Sequence, residues 1–328
     1  MLCGANRKTS LRSKGVNGMV AKKAGKRAGS FNLGGQWTPL FLILPVLLML
    51  LVFKFYPLLV NAWYSLIDYK LTGGAQKFVG LENYLDVLGD AKFTAAISRT
   101  FSWTVFNILG MIAIGVPTAF LLNSKFKGKM LLKSCILIPW VLPEIVTGYT
   151  WKWMLMGDFG IINTILSWFH IVEPSFSWFR SGNTAMLAVV MANVWRSIPF
   201  VAVMVYAKLR TIPTEMMEAA CIDGACGIKL HRYITFPHIG PVLSRVVMLA
   251  FIWTFNAFSI IASMTGGGPV YKTEIMPLIV QRTAFTKFEF NSASAMSIVM
   301  SLILLVFMLA LSGAKRVLRN GKAEGGEI

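Results

Sequence analysis

The 328 residues are 55% hydrophobic and only 14% charged, with a mean hydropathy of +0.63. A soluble domain carries about a quarter charged residues, so this balance excludes an ordinary soluble domain and points to a bilayer as solvent. The formal charge of +18 would suit nucleic acid, but the lysines and arginines stand at the ends of apolar runs instead of gathering on one soluble face, which excludes that partner.

Residues 1–36 read as a basic tail. Arg7, Lys8, Arg12, Lys14, Lys22, Lys23, Lys26 and Arg27 occur there without one acid, a pattern expected to be disordered, to orient the chain and to meet anionic membrane lipid. The apolar run that follows is too long for the core of a cleaved signal and lacks a small-residue cleavage site, so it reads as an uncleaved first span. Leu2-Cys3-Gly4 has no apolar segment before it and is not read as a lipidation site.

A transmembrane helix needs about 20 mostly apolar residues. Six stretches qualify: Pro39–Leu66, Phe101–Leu122, Leu131–Met156, Ala185–Tyr206, Pro241–Met264 and Ala293–Leu311. The expected fold is therefore an all-α polytopic membrane protein of six transmembrane helices. One helical membrane domain, 37–314, holds a polar loop at 208–241, and residues 315–328 form a C-terminal tail. Lysine and arginine concentrate in the tail, in Lys125–Lys133, in Lys208–Arg245 and in Lys315–Lys322, whereas Asp68–Arg99, Gly157–Gly182 and Thr265–Asn291 are poorer in them. Short loops rich in these residues stay inside, so both termini and the 208–241 loop are expected in the cytoplasm. Trp37, Tyr56, Trp63, Trp153, Trp178 and Tyr271 fit an interfacial aromatic belt. The four cysteines show no CxxC spacing, and Cys221 and Cys226 on the polar loop are expected as free thiols.

That loop is the densest polar motif of the chain: Glu218-Ala219-Ala220-Cys221-Ile222-Asp223-Gly224-Ala225, then Ile234-Thr235-Phe236-Pro237 and Pro241. A short helix can start at Thr214, with its hydroxyl as a cap, run through Ala220 and stop at Asp223-Gly224, where glycine permits a left-handed turn. A second helix is expected from Lys229 to Ile234, broken by Phe236-Pro237 and Pro241 before the fifth span. Alanines leave such a helix narrow enough to enter a groove on a soluble partner.

This block resembles the E-A-A…G…I-x-L-P loop of binding-protein-dependent ABC importer permeases. Glu218, Ala219, Ala220, Asp223, Gly224, Ala225, Ile234 and Pro237 match it, and Phe236 stands where leucine is usual. Thr265-Gly266-Gly267-Gly268-Pro269 with Thr273 resembles the T-x-G-G-P segment of the carbohydrate-type permeases. Phe78-Val79-Gly80-Leu81-Glu82-Asn83-Tyr84 resembles their F-x-G-L-x-N-Y segment, Gly160-Ile161-Ile162-Asn163 their G-x-x-N segment, and Ala284-Phe285 with Ser292–Ser297 their entry to the last span. The matches run in order from about Phe41 to Leu311. The resemblance implies the type I ABC importer permease fold in a bacterial cytoplasmic membrane and coupling of the loop to ATPase subunits through Glu218, Ala219, Ala220, Asp223, Gly224, Ala225 and Pro237. It implies as partners a second related permease, two ATPase subunits and an extracytoplasmic solute-binding protein, with ATP and magnesium held by the ATPases and no cofactor in this chain. The cargo it implies is a sugar or oligosaccharide; a charged lining by Glu144 and Arg196 would favour an acidic or phosphorylated one. A non-sugar solute such as glycerol phosphate stands as the alternative, and an ion-coupled secondary transporter stands behind it.

An ionisable residue inside a span is expensive and marks a functional candidate. Lys152, between Trp151 and Trp153 near a span end, can snorkel to the interface. Glu144 and Arg196 stand deeper. Two readings are open for them: they neutralise each other between packed helices, or they line a pathway with Trp140, Asn193, Trp195 and Ser197. On the fifth span Ala250, Trp253, Thr254 and Ala257 recur at i, i+3, i+4 and i+7, one helical stripe that suits either helix packing or a ligand-facing wall. Aromatic faces cover the C–H surface of a pyranose, and Glu, Arg, Asn and Ser satisfy its hydroxyls. An enzyme is not indicated. No G-x-x-x-x-G-K-[ST] loop occurs, and His170, His231 and His238 are too scattered for a metal site.

Overall fold

The computed structural model describes residues 38–69, 76–157 and 159–324. The basic tail and Trp37 lie outside them. The chain falls into two units, Met1–Pro57 and Leu58–Ile328. In the first, α1 (Thr38–Leu50) leads into a π-helical turn (Leu51–Phe55), and α2 (Tyr56–Tyr64) follows it. The stretch Phe41–Tyr64 is long and apolar enough to cross a membrane, and its most apolar window contains no buried residue.

The second unit continues with two short antiparallel strands, β1 (Ile67–Asp68) and β2 (Lys77–Phe78), paired Ile67 to Phe78. The helices α3 (Glu82–Gly89), α4 (Ala91–Asn123), α5 (Lys129–Val141), α6 (Glu144–Met154), α7 (Ile161–Trp168) and α8 (Gly182–Leu209) come next. After them follow α9 (Thr214–Ile222), α10 (Ile228–Leu230), α11 (Phe236–Asn256), α12 (Ser259–Met264), α13 (Met276–Phe285) and α14 (Phe290–Glu324). Among the described residues five helices are long and apolar enough to span a membrane, and a sixth span results if the bent pair α5–α6 is counted as one.

The centre of this unit is the pair α4 and α8. Trp103, Met111 and Ala119 meet Ala188, Val189, Val201 and Val205, and Ile239, Val246 and Ala250 of α11 close the cluster. Glycine sets how near the two long helices come. A Cβ on Gly110 would stand 2.8 Å from Val194 Cγ2, and one on Gly115 2.7 Å from Val201 Cβ. In lipid, where burial of apolar surface no longer drives helices together, such small-residue contacts supply the packing. A second cluster joins Phe93 and Ala96 of α4 to Phe251 and Phe255 of α11, Met276 of α13 and Ala295 of α14.

The span boundaries differ from expectation, and prolines explain part of the difference. Leu131–Met156 is not one helix: α5 and α6 meet at 103°. Pro143 has no N–H to continue the ladder and pushes Leu142 out of the helical region, to φ −70° and ψ 135°. The fifth stretch is also interrupted, since α11 ends at Asn256, Ala257 is extended (φ −71°, ψ 126°) and α12 resumes at Ser259. The expected break at Phe236-Pro237 and Pro241 does not occur, because helix is continuous from Ile228 to Asn256. A π turn, His231–Thr235, stands just before Pro237, as Leu51–Phe55 stands just before Pro57. The wider turn makes the room a proline ring needs against the residues behind it.

The loops at one end of the bundle are tied by side chains from the glycine-rich motifs. Asn83 donates to the carbonyls of Ser65 (3.0 Å) and Ile67 (3.1 Å), and its own oxygen accepts from Asn291. Asn163 donates to the carbonyls of Phe176 (2.6 Å) and Met156 (3.2 Å) and accepts from Trp178 Nε1. Thr273 is bonded to Thr265 Oγ1 and to the Gly268 carbonyl, both at 2.7 Å. Each motif thus pins a turn whose backbone groups have no ladder to join.

Candidate functional site

At the other end lies the loop between α8 and α11. Pro213, at φ −61°, occupies the cap position of α9, and Thr214 is the first helical residue with no side-chain capping bond, which corrects its expected role. The C-terminus closes as a Schellman turn: Gly224 N–H donates to Cys221 O (3.1 Å) and Ala225 N–H to Ala220 O (2.8 Å). The turn requires φ +82° at Gly224, and a Cβ there would meet nothing within 4 Å. Glycine is present for its backbone freedom, not for lack of room. The turn folds the chain back so that the Cα atoms of Cys221 and Cys226 are 4.6 Å apart and the pair is disulfide-bonded, contrary to the expected free thiols.

Ala220 faces inward, whereas Glu218, Ala219, Asp223, Gly224 and Pro237 are exposed and Ala225 is half-buried. Beside them Ile222 is 88% exposed, Ile228 86% and Tyr233 61%. The loop therefore presents a small-residue helix flanked by apolar side chains, with Ile228 and Tyr233 at the start of the helix that runs on to Asn256. On the same loop His231 and His238 hydrogen-bond Thr235 and Thr211.

The second candidate is a cleft between the helices, with Trp140 and Trp253 about half exposed. Trp140, Glu144, Asn193, Arg196, Ser197, Ala250, Trp253, Thr254 and Ala257 surround one cavity of about 40 Å³, joined by Met111 and Phe200. Both helix breaks, Leu142-Pro143 and Ala257, border it. Irregular backbone at membrane depth is tolerated where it lines a cavity or is covered by protein. Arg196 serves the first break directly: its Nε donates to the Leu142 carbonyl (3.3 Å), and its Nη1 lies 3.3 Å from Glu144 Oε1. Glu144 is the first residue of α6, where a carboxylate also meets the positive end of the helix. The two side chains keep 21% and 31% of their surface, so the pair is open to the cavity while neutralising itself.

The wall opposite is aromatic. Phe200 stands between Trp140 (6.3 Å between ring centres) and Trp253 (4.8 Å). Behind it, Asn193 donates to Asn107 Oδ1 (2.7 Å), Asn107 donates to the Trp103 carbonyl (2.8 Å), and Trp103 Nε1 donates to the Thr254 carbonyl (2.9 Å). This chain of bonds crosses α8, α4 and α11 and fixes their relative rotation.

Trp195 is not part of this wall. It packs edge-on against Trp151 of α6 at 5.8 Å, because it lies off the stripe Asn193, Arg196, Ser197, Phe200 at i, i+3, i+4 and i+7. The same spacing would have found Phe200. Asn107, Glu274 and Arg282 were also passed over. Glu274, 3% exposed, pairs with Arg282, which also donates to the Gly266 carbonyl (2.7 Å).

The family model described as "binding-protein-dependent transport system inner membrane component" matches residues 111–322. The trehalose/maltose transport system permease protein MalF of Thermococcus litoralis is 34% identical over 271 residues, 82% of this chain and 90% of its own length. A probable ABC transporter permease protein of Brucella suis is 32% identical over 269 residues, 82% of this chain and 93% of the relative. Among solved structures, a subunit of a bacterial alginate ABC transporter, in complex with an alginate pentasaccharide-bound periplasmic protein, superposes with a TM-score of 0.76. It does so at 17% identity, covering 88% of this chain and 96% of that one, and so shows the shared fold. A family model spanning the core helices and the polar loop, together with relatives aligned over most of their length, place this chain among the binding-protein-dependent inner membrane components, as a multi-pass permease subunit of an ABC importer.

Proposed function

We propose that this permease moves a sugar or oligosaccharide past the Trp140–Trp253 wall and the Glu144–Arg196 pair, and that the Glu218–Ala225 helix takes up motion from separate ATPase subunits. The observation that carries the first half is the meeting, at two broken spans, of three aromatic faces with an open ion pair and an asparagine. Aromatic rings cover the apolar face of a pyranose, and charged hydrogen-bonding groups replace water at its hydroxyls. Similarity to a trehalose/maltose permease supports the same cargo class. A cavity of about 40 Å³ holds little more than a few waters. Passage of a sugar therefore requires α6, α8 and α11 to separate, with a second permease supplying the facing wall.

The second half rests on the exposed apolar rim of α9 and α10 and on the family's general use of partner ATPases. The loop and both termini face the cytoplasm, and a soluble binding protein delivers solute to the opposite end. A neutral cargo is favoured, since Arg196 already has its counter-charge at 3.3 Å. An acidic sugar, or a glycerol phosphate as in the 28%-identical sn-glycerol-3-phosphate permease UgpA of Escherichia coli, would have to draw Arg196 away from Glu144. Reconstitution with the partner permease, two ATPase subunits and the binding protein, followed by substrate-stimulated ATP hydrolysis across neutral and acidic oligosaccharides, tests this. Neutral sugars should stimulate most. Stimulation by anionic solutes alone would reverse the cargo assignment, and none by any saccharide would remove it.

A further inference from the structure

Apart from the Glu144–Arg196 cavity and independent of the sugar reading, a second pocket of about 80 Å³, with charged side chains in its lining, lies at the end of the bundle opposite α9. Its polar lining comes from the first turn of α4 with Lys92, the loop residue Tyr271, the last turns of α13 with Arg282 and Thr283, and Lys287 just beyond that helix, while Met296 of α14 adds an apolar side. One ring gathers two of the cations, with Lys92 Nζ 5.1 Å and the Arg282 guanidinium 5.9 Å from the Tyr271 centroid. Tyr271 is held there at φ +61°, a left-handed conformation that is costly for a bulky side chain.

Two carboxylates also reach the pocket, and both are engaged. Glu274 is paired with Arg282, and Asp90 caps α4 by accepting from Lys92 N–H at 2.8 Å. Among the described residues no carboxylate pairs with Lys92 or Lys287, so positive charge is in excess. Thr283 supplies the independent sign of a ligand. Its hydroxyl is buried, the residue being 1% exposed, and has no hydrogen-bond partner. An orphaned hydroxyl costs about 1–3 kcal/mol and is rare unless an ion or water satisfies it. The pocket is several times the roughly 10–15 Å³ that a single water needs.

We propose that this pocket binds a small oxyanion of the phosphate or carboxylate kind. Lys92 and Lys287 offset its charge, and the Thr283 hydroxyl donates to one of its oxygens. Nothing larger fits without moving the helices, so a saccharide is not the ligand. A bound anion would tie the start of α4 to the Tyr271 loop and the end of α13, which lie far from it in sequence.

The test is equilibrium dialysis of the full chain in maltoside micelles, at constant ionic strength with chloride as balance, using radiolabelled inorganic phosphate as probe and acetate as competitor. Saturable binding of one phosphate per chain, displaced by acetate and weakened at least tenfold in a Lys92→Gln, Thr283→Val, Lys287→Gln variant, is the expected result. Phosphatidylglycerol that displaces the phosphate would identify a lipid headgroup as the source of the oxyanion; failure to displace it would identify a soluble anion. Thr283→Val alone removes only the orphaned hydroxyl and keeps the experiment readable if the triple variant does not fold. Absence of saturable binding, or equal binding by wild type and variants, overturns the proposal.

Discussion

The α9–α10 loop and the Glu144–Arg196 cavity achieve specificity by opposite means. The loop is local: one Schellman turn, one glycine at φ +82° and exposed side chains define it within about a dozen residues. The cavity is non-local, with walls drawn from α4, α5, α6, α8 and α11 and held by hydrogen bonds linking residues 86 and 151 positions apart. A surface offered to another chain needs shape and exposure. A site inside the membrane needs polar groups that satisfy one another until a solute replaces those bonds.

The comparison breaks most sharply at the loop. Gly224→Arg forces a long side chain into a left-handed position on the exposed face, and should reduce uptake and coupled ATP hydrolysis at least 100-fold while the chain still inserts. Substrate-stimulated hydrolysis in proteoliposomes, alongside a membrane-fraction blot, measures both. Normal uptake would disconnect the loop from coupling. Arg196→Ala should come next. It leaves Glu144 and the Leu142 carbonyl unpartnered, with uptake falling roughly 10- to 100-fold as for loss of a charge-assisted bond worth about 1.5–3 kcal/mol. If the ion pair acts as a unit, the double variant Glu144→Gln, Arg196→Gln should melt at a higher temperature than Arg196→Ala alone. A thermal melt of the two proteins decides this.

Effects outside both regions should be on stability alone. Asn163→Ala removes three hydrogen bonds that hold the α7 loop. It should cost about 2–3 kcal/mol and lower the melting temperature without changing which solute stimulates hydrolysis. Thr147→Val sharpens the contrast at the small end. Its hydroxyl is buried without a partner, so an isosteric apolar side chain should be neutral or stabilise by about 1 kcal/mol. A lower melting temperature for this variant would mean that an unseen group satisfies Thr147.

The same contrast explains what could be read from the chain. The loop was legible because its determinants are consecutive: small residues, Asp-Gly and spaced prolines. Nine of the eleven residues around the cavity are legible from residue type and helical spacing, as one of the two readings open for them; Met111 and Phe200 are not. Trp195 was placed on the wrong face because adjacency to Arg196 was weighed above the 100° turn between neighbours on a helix. The break at Leu142-Pro143 was signalled by its proline. That at Ala257-Phe258 carries neither proline nor glycine and follows from how α11 and α12 pack against different neighbours. At Pro237 the proline reads as a stop, and no residue pattern marks the π turns that let helix continue through Pro57 and Pro237. The disulfide depends on how tightly the Schellman turn reverses the chain, which spacing alone does not tell.

The most direct test of the transport account is solute-stimulated ATP hydrolysis by the reconstituted transporter, with Trp253→Ala beside wild type. The account predicts that wild type responds to a saccharide and that the variant, stripped of one aromatic wall, needs at least tenfold more of it while its basal hydrolysis is unchanged. An identical saccharide response in wild type and Trp253→Ala would contradict it.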